Sequence, residues 1–394
     1  MRIAHLGPVP PEASGIADYA EALAAALRER GLEVAAHLPR DFARADARGI
    51  RGAARQLAAA PVDLYHFELG GGRVRHFLLL RELLRLRQGR PITATVHDPE
   101  RLAWRGWGLG RFERLPRVLQ QGLVLVTEPL SRRRERTAAG ALHRLVVLTP
   151  AGAAGLRRWA RLPAARVSVI PHGVAAVPYV PPPALLPLRV LCFGFLHPGK
   201  GIEDLLDALV WLRRQAPAAL DRLQLTIAGG SRPALLLRMR GDYPTRLRAS
   251  VAELGLGDKV QVLTDIPAAA LADLVAAHHV LTLPYRDSRK LALLGRQLGA
   301  SGALGWAVAC GRGALVSDAR ALAGEVGHGN GAAVPQRDPA ALGAALAELA
   351  EAPQRALAWA EASARLARER TWAQVAARFE RMFTEVLAEP GVRP

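Results

Sequence analysis

The middle of the chain reads Val190-Leu-Cys-Phe-Gly-Phe-Leu-His-Pro-Gly-Lys-Gly-Ile-Glu-Asp-Leu-Leu-Asp-Ala208. This pattern predicts a buried strand, a turn flanked by glycines that carries one lysine, and an amphipathic helix. The start of a helix leaves about four backbone amides without an intrahelical partner, and Lys200 adds a positive charge at the same turn. The turn is therefore predicted to bind a phosphate group.

Lysine is rare in this chain, since only Lys200, Lys259 and Lys290 occur among 53 basic residues. In an arginine-rich sequence, a lysine kept in a glycine turn indicates a need for a compact point charge. A solvated surface lysine is the alternative interpretation.

The length of 394 residues exceeds what one hydrophobic core usually serves and predicts two domains. Hydrophobic residues make up 50% of the chain, which favours globular domains over extended disorder. Cys192 and Cys310 lie in apolar runs, as is typical of reduced thiols in a cytoplasmic protein. Without a leader-like start or an uninterrupted apolar stretch of about 18 residues, we expect a cytoplasmic protein, at most peripheral at the inner membrane face.

The net charge of +18 is compatible with a nucleic-acid partner, an anionic membrane or an anionic substrate. The basic residues are spread over many predicted helices, and no recognition-helix, zinc-finger or RNA-binding sheet pattern accompanies them. We therefore expect no nucleic-acid partner.

Short apolar runs alternate with helical patterns, which indicates parallel sheets. The predicted strands of the first half are Ile3–Leu6, Glu33–Leu38, Leu64–Phe67, Ile92–Val96, Leu123–Val126, Leu145–Leu148 and Val167–Ile170. Those of the second half begin at Val190 and continue with Gln224–Ala228, Val260–Leu263, Val280–Leu283 and Ala314–Val316. The principal predicted helices are Ile16–Arg30, Asp338–Ala350 and a helical tail over 353–387.

A proline-rich segment, 178–187, separates the two halves and is predicted to be a stiff linker. The sequence thus predicts a first domain over 1–177, a second over 188–370, and a C-terminal helix over 371–394 that crosses back to the first. Two doubly wound, Rossmann-like α/β domains are expected to face each other across a cleft that binds ligand.

Gly194 with Gly199 and Lys200 also matches most of a Walker A loop. That motif requires a hydroxyl directly after the lysine to hold magnesium, and here the next residue is Gly201. An NTPase is therefore disfavoured.

The order of the motifs along the chain resembles family 4 glycosyltransferases of the GT-B fold. The resemblance covers nearly the whole sequence. It rests on Pro11–Tyr19, Thr95-Val-His-Asp98, Val169-Ile-Pro-His-Gly173, the Lys200 turn, Ile227-Ala-Gly-Gly230, Val280–Pro284, Ala309-Cys-Gly311, Glu325 with Asn330-Gly331, and Thr371–Val375.

The resemblance implies a retaining, metal-independent hexosyltransferase that takes a sugar from a nucleoside diphosphate sugar. Lys200 would stabilise the departing diphosphate and His97 would hydrogen-bond the transferred sugar, with a satisfied core histidine as the alternative for His97. For His172, the preferred interpretation is a structural role in the fold. The other implied donor-binding residues are Gly15, Gly194, Gly199, Gly201, Gly229, Ser301, Gly302 and Glu325.

On the acceptor side, the same resemblance places Asp98, which either orients the His97 ring or caps the following turn. Trp104 and Trp107 lie in an arginine-rich stretch that suits either a lid over an acceptor or an anionic membrane surface. Tyr65 and Glu68, on a predicted strand, complete the acceptor-side prediction. The acceptor is expected to be a hydroxyl of a glycan, a lipid-linked molecule or a small molecule.

The sequence departs from the family pattern at one point. The family commonly carries two glutamates eight positions apart, and here Leu298 and Trp306 occupy the matching positions. Ser301 and Gly302 at a predicted helix start would offer a hydroxyl and free amides to phosphate instead, unless Ser301 is only a helix cap. The alternative function is a catalytically silent GT-B protein that binds nucleotide or glycan as a partner subunit. We predict no cofactor and no metal, because no Asp-x-Asp pair or helical His-x-x-x-His pattern occurs.

Overall fold

The computed structural model describes residues 1–8, 14–35, 38, 42–86, 89–103, 117–230, 242–287 and 295–390. Contacts divide the chain into two compact units. The first contains Met1–Gly173, Lys290–Ala300 and Trp372–Pro394, and the second contains Val174–Arg289 and Ser301–Thr371. Each unit is built on one parallel sheet of six described strands.

The sheet of the first unit has the strand order β2-β1-β3-β4-β5-β6. Its strands are β1 (Arg2–Leu6), β2 (Glu33–Ala35), β3 (Leu64–Leu69), β4 (Ile92–Val96), β5 (Arg144–Val147) and β6 (Val167–Val169). Parallel neighbours need crossover connections, which helices supply here. These helices are Gly15–Glu29, Ala47–Ala59, Val74–Leu86, Arg117–Ala141 and Pro150–Ala160.

The sheet of the second unit has the order β12-β11-β10-β7-β8-β9, which is the dinucleotide-fold order with its switch point between β7 and β10. Its strands are β7 (Leu188–Phe193), β8 (Leu223–Ala228), β9 (Val260–Leu263), β10 (Val280–Leu283), β11 (Gly313–Ser317) and β12 (Gly331–Val334). The helices are Ile202–Gln215, Pro217–Asp221, Tyr243–Glu253, Leu271–Ala276, Gly302–Ala309, Leu322–Glu325, Pro339–Glu351 and Gln354–Glu369.

Helix Trp372–Leu387 follows the second unit in sequence but packs in the first. Its fully buried Phe379 and Phe383 join a core that includes Leu23 and Leu27 of the first helix. The apolar positions recur at helical spacing, so burial of this one face explains why the helix docks.

The segment between the two sheets carries neither helix nor strand from residue 175 to 187 and is held to the second unit by polar contacts. Fully buried Arg312 donates to the carbonyl oxygens of Val180 and Pro181, at 3.0 and 3.4 Å. It also donates to the carbonyl oxygens of Ala276, His278, Cys310 and Gly311.

One strand prediction was wrong, and one strand was missed. Leu123–Val126 is not a strand, because it lies within helix Arg117–Ala141; a short apolar run fits either element, and Val126 is 79% exposed. Strand β12 was not predicted, since Val334 is the one β-branched residue in Gly331-Ala-Ala-Val334, and the strand is defined by its pairing with β11.

In the part of the chain that the structure describes, no helix is both long enough and apolar enough to span a membrane.

Candidate functional site

The predicted phosphate turn follows β7 in the second unit. Gly194 adopts a φ of 132°, and a short 3₁₀ turn, Pro198–Lys200, leads to Gly201 at a φ of 67°. Gly201 is the N-cap of helix Ile202–Gln215. A Cβ at Gly201 would lie 1.8 Å from the Pro284 carbonyl oxygen, so the glycine is required both by its backbone conformation and by the close approach of the β10 loop.

Lys200 is held above the ring of Tyr285, with Nζ 3.7 Å from the ring centroid. The guanidinium of Arg320 lies 5.4 Å from the same centroid. Tyr285 is buried, and its carbonyl oxygen accepts a 2.7 Å hydrogen bond from Ser317 Oγ. Tyr285 therefore brings two cations together at the carboxyl ends of neighbouring strands, where sheets of this kind bind ligands.

Ser301 completes this cluster. Its Oγ lies 3.3 Å from the Tyr285 hydroxyl and makes no side-chain cap to helix Gly302–Ala309, of which Ser301 is the N-cap residue. A Cβ at Gly302 would meet no atom within 4 Å in the part of the chain that the structure describes, so these residues leave the start of the helix sterically open. A helix N-terminus beside two cations favours an anion.

The loop around Lys200 is braced from two sides. A Cβ at Gly229 would lie 1.7 Å from the Gly194 carbonyl oxygen. Arg286 donates its backbone amide to the Gly199 carbonyl oxygen at 3.1 Å and pairs with Asp204 through Nε at 2.6 Å. The hydrogen bond to Asp204 raises the pKa of Arg286, which keeps this brace charged.

Glu325 was predicted to bind donor, and the structure shows it in a different contact. The carboxylate is buried and accepts a 2.9 Å hydrogen bond from Arg370 Nη1. Its part in donor binding stays a prediction.

The first unit contains a second cluster, centred on Glu68 of β3. This carboxylate is fully buried, with His5 Nε2 2.8 Å from Oε1 and His97 Nε2 2.6 Å from Oε2. Burial raises the pKa of Glu68, but hydrogen bonds from the surrounding imidazoles outweigh that effect and hold the pKa well below its usual value. Glu68 is thus ionised and acts as a pure acceptor.

His66 lies beside Glu68 on the same strand. Its Nδ1 is 2.8 Å from Thr93 Oγ1 and its Nε2 is 2.9 Å from Thr95 Oγ1. Burial lowers the pKa of His66 and favours its neutral form. Single ligand atoms of His5, His66 and Glu68 lie within 4.8 Å of one another, a spacing that could hold a metal ion. The two threonine hydroxyls already occupy both nitrogens of His66, so hydrogen bonds account for the cluster.

Tyr19 closes the cluster with aromatic contacts. Its ring meets His97, His172 and Trp372 edge-on, at centroid distances of 4.8, 5.1 and 5.2 Å. Burial, followed by the charge of Glu68, raises the Tyr19 pKa well above its usual value. The structure therefore gives His172 a packing contact, in line with the structural interpretation made from sequence.

Two acceptor-side predictions need correction. Tyr65 is fully buried and donates its hydroxyl to the Leu57 carbonyl oxygen at 2.9 Å, so it does not face an acceptor. Glu68 is equally inaccessible and instead holds His97. Asp98 accepts a hydrogen bond at Oδ2 from the Gly71 amide at 2.8 Å, and its role beside His97 stays a prediction.

The remaining predicted residues fall at an element start or outside the described chain. Gly15 is the first residue of helix Gly15–Glu29, and a Cβ there would meet no atom of the described residues within 4 Å. Its part in donor binding stays a prediction. Trp104 and Trp107 lie outside the described residues.

Sequence reasoning missed Tyr285, Arg320, His5 and His66. Tyr285 carried a usable signal, because it directly follows the end of a predicted buried strand and Pro284. The signal for the histidines was weaker: His5 and His66 are paired across β1 and β3 and face the same side of the sheet.

Comparisons with known proteins agree with this architecture. Residues 187–352 match the family model described as glycosyl transferases group 1. A D-inositol 3-phosphate glycosyltransferase from Kineococcus radiotolerans is 31% identical over 215 residues, which cover 52% of this chain and 48% of that relative. The chain thus matches about half the length of this curated relative.

Solved structures extend the likeness to the whole fold. Sucrose-phosphate synthase from Thermosynechococcus elongatus superposes with a TM-score of 0.71 at 20% identity, over 98% of this chain and 100% of the other. HepE from Anabaena, solved in complex with UDP, superposes with a TM-score of 0.67 at 16% identity, over 98% and 100% of the two chains. The chain has the GT-B fold, as the sequence predicted.

Proposed function

We propose that the protein is a retaining glycosyltransferase that moves a sugar from a nucleoside diphosphate sugar to a hydroxyl of a glycan, a lipid-linked molecule or a small molecule. The observation that carries this proposal is the cation cluster on Tyr285. Lys200 Nζ, Arg320 and the open start of helix Gly302–Ala309 offer positive potential at the carboxyl ends of the strands. The family match of residues 187–352 supports the reaction class.

In the proposed reaction the bond between the anomeric carbon and the diphosphate oxygen breaks while the acceptor oxygen bonds to that carbon. Negative charge develops on the diphosphate, and Lys200 stabilises it as it forms. The acceptor proton leaves with the departing diphosphate, so the acceptor attacks from the face on which the diphosphate departs. That stereochemistry retains the anomeric configuration.

Release of nucleoside diphosphate from a panel of UDP, GDP, ADP and TDP sugars tests the proposal. HepE, a fold neighbour, is solved with UDP-glucose, so UDP sugars lead the panel. We expect Lys200→Ala to lower kcat for the matching donor about 10²–10³-fold, since it removes one preorganised charge on the leaving group.

Lys259→Ala is the matched control. Lys259 also lies in the second unit, where its Nζ contacts Asp221 instead of Tyr285. Equal rates for wild type and Lys200→Ala, or equal losses in both variants, would contradict the proposed role of Lys200.

A second candidate, a partner subunit that binds donor without turnover, is favoured by Leu298 and Trp306. Leu298 is buried against Gly155, and Trp306 packs on the apolar cluster that contains Leu191. Neither side chain offers a carboxylate to a sugar. Calorimetry that detects tight donor binding, combined with no diphosphate release across glycan, lipid-linked and small-molecule acceptors, would select this candidate.

A further inference from the structure

We propose that Glu68 is a positioning residue that fixes His97 in the tautomer protonated at Nε2, so that Nδ1 is presented as a hydrogen-bond acceptor to a substrate hydroxyl. The contact with substrate rests on the proposed function. The tautomer itself follows from the hydrogen bonds of the first unit alone.

Glu68 is the hydrogen-bond acceptor at the centre of this cluster. A carboxylate buried from water can only accept hydrogen bonds, and Glu68 has one imidazole nitrogen close to each oxygen. Both His5 Nε2 and His97 Nε2 must therefore carry a proton. A proton on each of these atoms also avoids the cost of burying an unpaired charge.

His66 does not donate a hydrogen bond to Glu68. Thr93 Oγ1 donates to the Tyr65 carbonyl oxygen at 3.3 Å, so it accepts from His66 Nδ1. The unprotonated Nε2 then accepts from Thr95 Oγ1 at 2.9 Å. Its distance to Glu68 Oε1 is 3.4 Å, longer than the contacts of the other two imidazoles.

His97 is held firmly in this arrangement. Its backbone amide donates to the Leu69 carbonyl oxygen at 2.8 Å, and the Tyr19 ring packs edge-on against it. A Cβ at Gly299 would lie 1.9 Å from the His97 carbonyl oxygen, and one at Gly7 would lie 2.8 Å from Glu68 Cβ. The main chain at Gly299 and at Gly7 is thus packed closely against His97 and Glu68, respectively.

Nδ1 of His97 is the atom left for function. Among the described residues, its ring has a hydrogen bond only through Nε2. In the neutral tautomer protonated at Nε2, Nδ1 carries a lone pair and accepts a hydroxyl hydrogen. An ionised carboxylate on the far side of the ring increases its strength as an acceptor, by the same logic that orients a catalytic histidine in hydrolases.

The direct test is the tautomer of His97, read from ¹⁵N chemical shifts of histidine-labelled protein without substrate. His97→Gln identifies the signal by its disappearance. We expect a protonated Nε2 and an unprotonated Nδ1 in wild type. An Nδ1-protonated ring would overturn the proposal.

Glu68→Gln supplies the functional readout. An amide has one accepting oxygen, whereas two imidazoles donate to Glu68, so at least one of His5 and His97 must change tautomer or lose its partner. We expect diphosphate release to fall about 10²-fold in kcat, with the donor KM within about twofold, because the reacting geometry is disturbed and donor binding is not. Glu68→Asp should recover part of the rate.

Glu135→Gln is the matched control, because Glu135 is another fully buried carboxylate of the first unit, paired with Arg101 away from His97. Equal losses of kcat in Glu68→Gln and Glu135→Gln would overturn the positioning role. So would a stoichiometric divalent metal in the purified wild type that is lost in His66→Gln, because the cluster would then be a metal centre. If no donor is turned over, the proposed function fails while the wild-type tautomer still decides this inference.

Discussion

At the scale of single residues, sequence predicted what is local and missed what the fold brings together. The Lys200 turn was recognisable because its glycines and helix start are adjacent in sequence. The ring beneath Lys200 was not, since Tyr285 arrives from β10, more than eighty positions later. The same holds for Glu68 and His97, which β3 and β4 bring into contact.

Gly229 provides a test of the close packing behind this turn. Gly229→Ala puts a methyl group 1.7 Å from the Gly194 carbonyl oxygen, so either the β8 end or the Gly194 loop must move. We expect a loss of about 1–3 kcal/mol and an apparent Tm lower by about 2–4 °C per kcal/mol. Weaker nucleotide binding should accompany it.

Gly230→Ala is the neighbouring control, because a Cβ there meets no atom of the described residues within 4 Å. Thermal unfolding and nucleotide titration of both variants check the prediction. It is wrong if the two alanines behave alike.

At the scale of elements, the strands that sequence predicted well are those with continuous branched or aromatic runs. Ile92–Val96 and Val280–Leu283 were predicted with the bounds that the structure shows. A strand that is buried on both faces of a parallel sheet needs apolar side chains at successive positions, so such runs are visible in the sequence. Edge strand β12 lacks that signature and was missed, whereas Leu123–Val126 carries it within helix Arg117–Ala141 and was therefore wrongly predicted to be a strand.

Helix Trp372–Leu387 is expected to contribute strongly to the stability of the first unit. Phe379 is fully buried and lies 5.3 Å, centroid to centroid, from the His66 ring. Phe379→Ala should cost about 3–5 kcal/mol, because it leaves a cavity next to the Glu68 cluster. Chemical denaturation followed by circular dichroism measures this loss.

Arg381→Ala, on the exposed face of the same helix, should change stability by no more than about 0.5 kcal/mol. A comparable loss in both variants would contradict the assignment of the effect to the buried ring.

At the scale of the whole molecule, sequence predicted two α/β halves and a returning C-terminal helix, but not the second exchange of chain between the units. Residues 295–300 pack with the first unit although both flanking strands, β10 and β11, belong to the second. Gly299 shows the reason, since its close approach to the His97 carbonyl oxygen is a long-range contact without a local pattern. Such contacts depend on tertiary packing that no short motif encodes.

Buried histidines give the whole molecule an expected sensitivity to acid. Burial is the first cause that lowers the pKa of His66, His143, His278 and His279. Their folded pKa values lie below those of the unfolded chain, near 6.5, so acid protonates the unfolded state first. Stability should therefore fall as pH drops below about 6.5, by up to about 1.4 kcal/mol per pH unit for each histidine.

His279→Gln should reduce that slope, because the neutral ring accepts the Arg189 amide at Nδ1, 2.9 Å away, and protonation breaks this bond. Unfolding free energies between pH 5 and 8 provide the comparison, and an unaltered slope in His279→Gln would refute the assignment.

The proline-rich segment has two attachments of different chemical character. His279 Nε2 lies 3.2 and 3.1 Å from the carbonyl oxygens of Pro183 and Ala184, whereas Arg312 holds those of Val180 and Pro181. Peptide oxygens do not titrate, and the arginine keeps its charge throughout the physiological range. Protonation of His279 therefore removes its bond from the Arg189 amide at Nδ1, while Nε2 still donates to the linker carbonyls, so both attachments of the proline-rich segment outlast the loss of that bond.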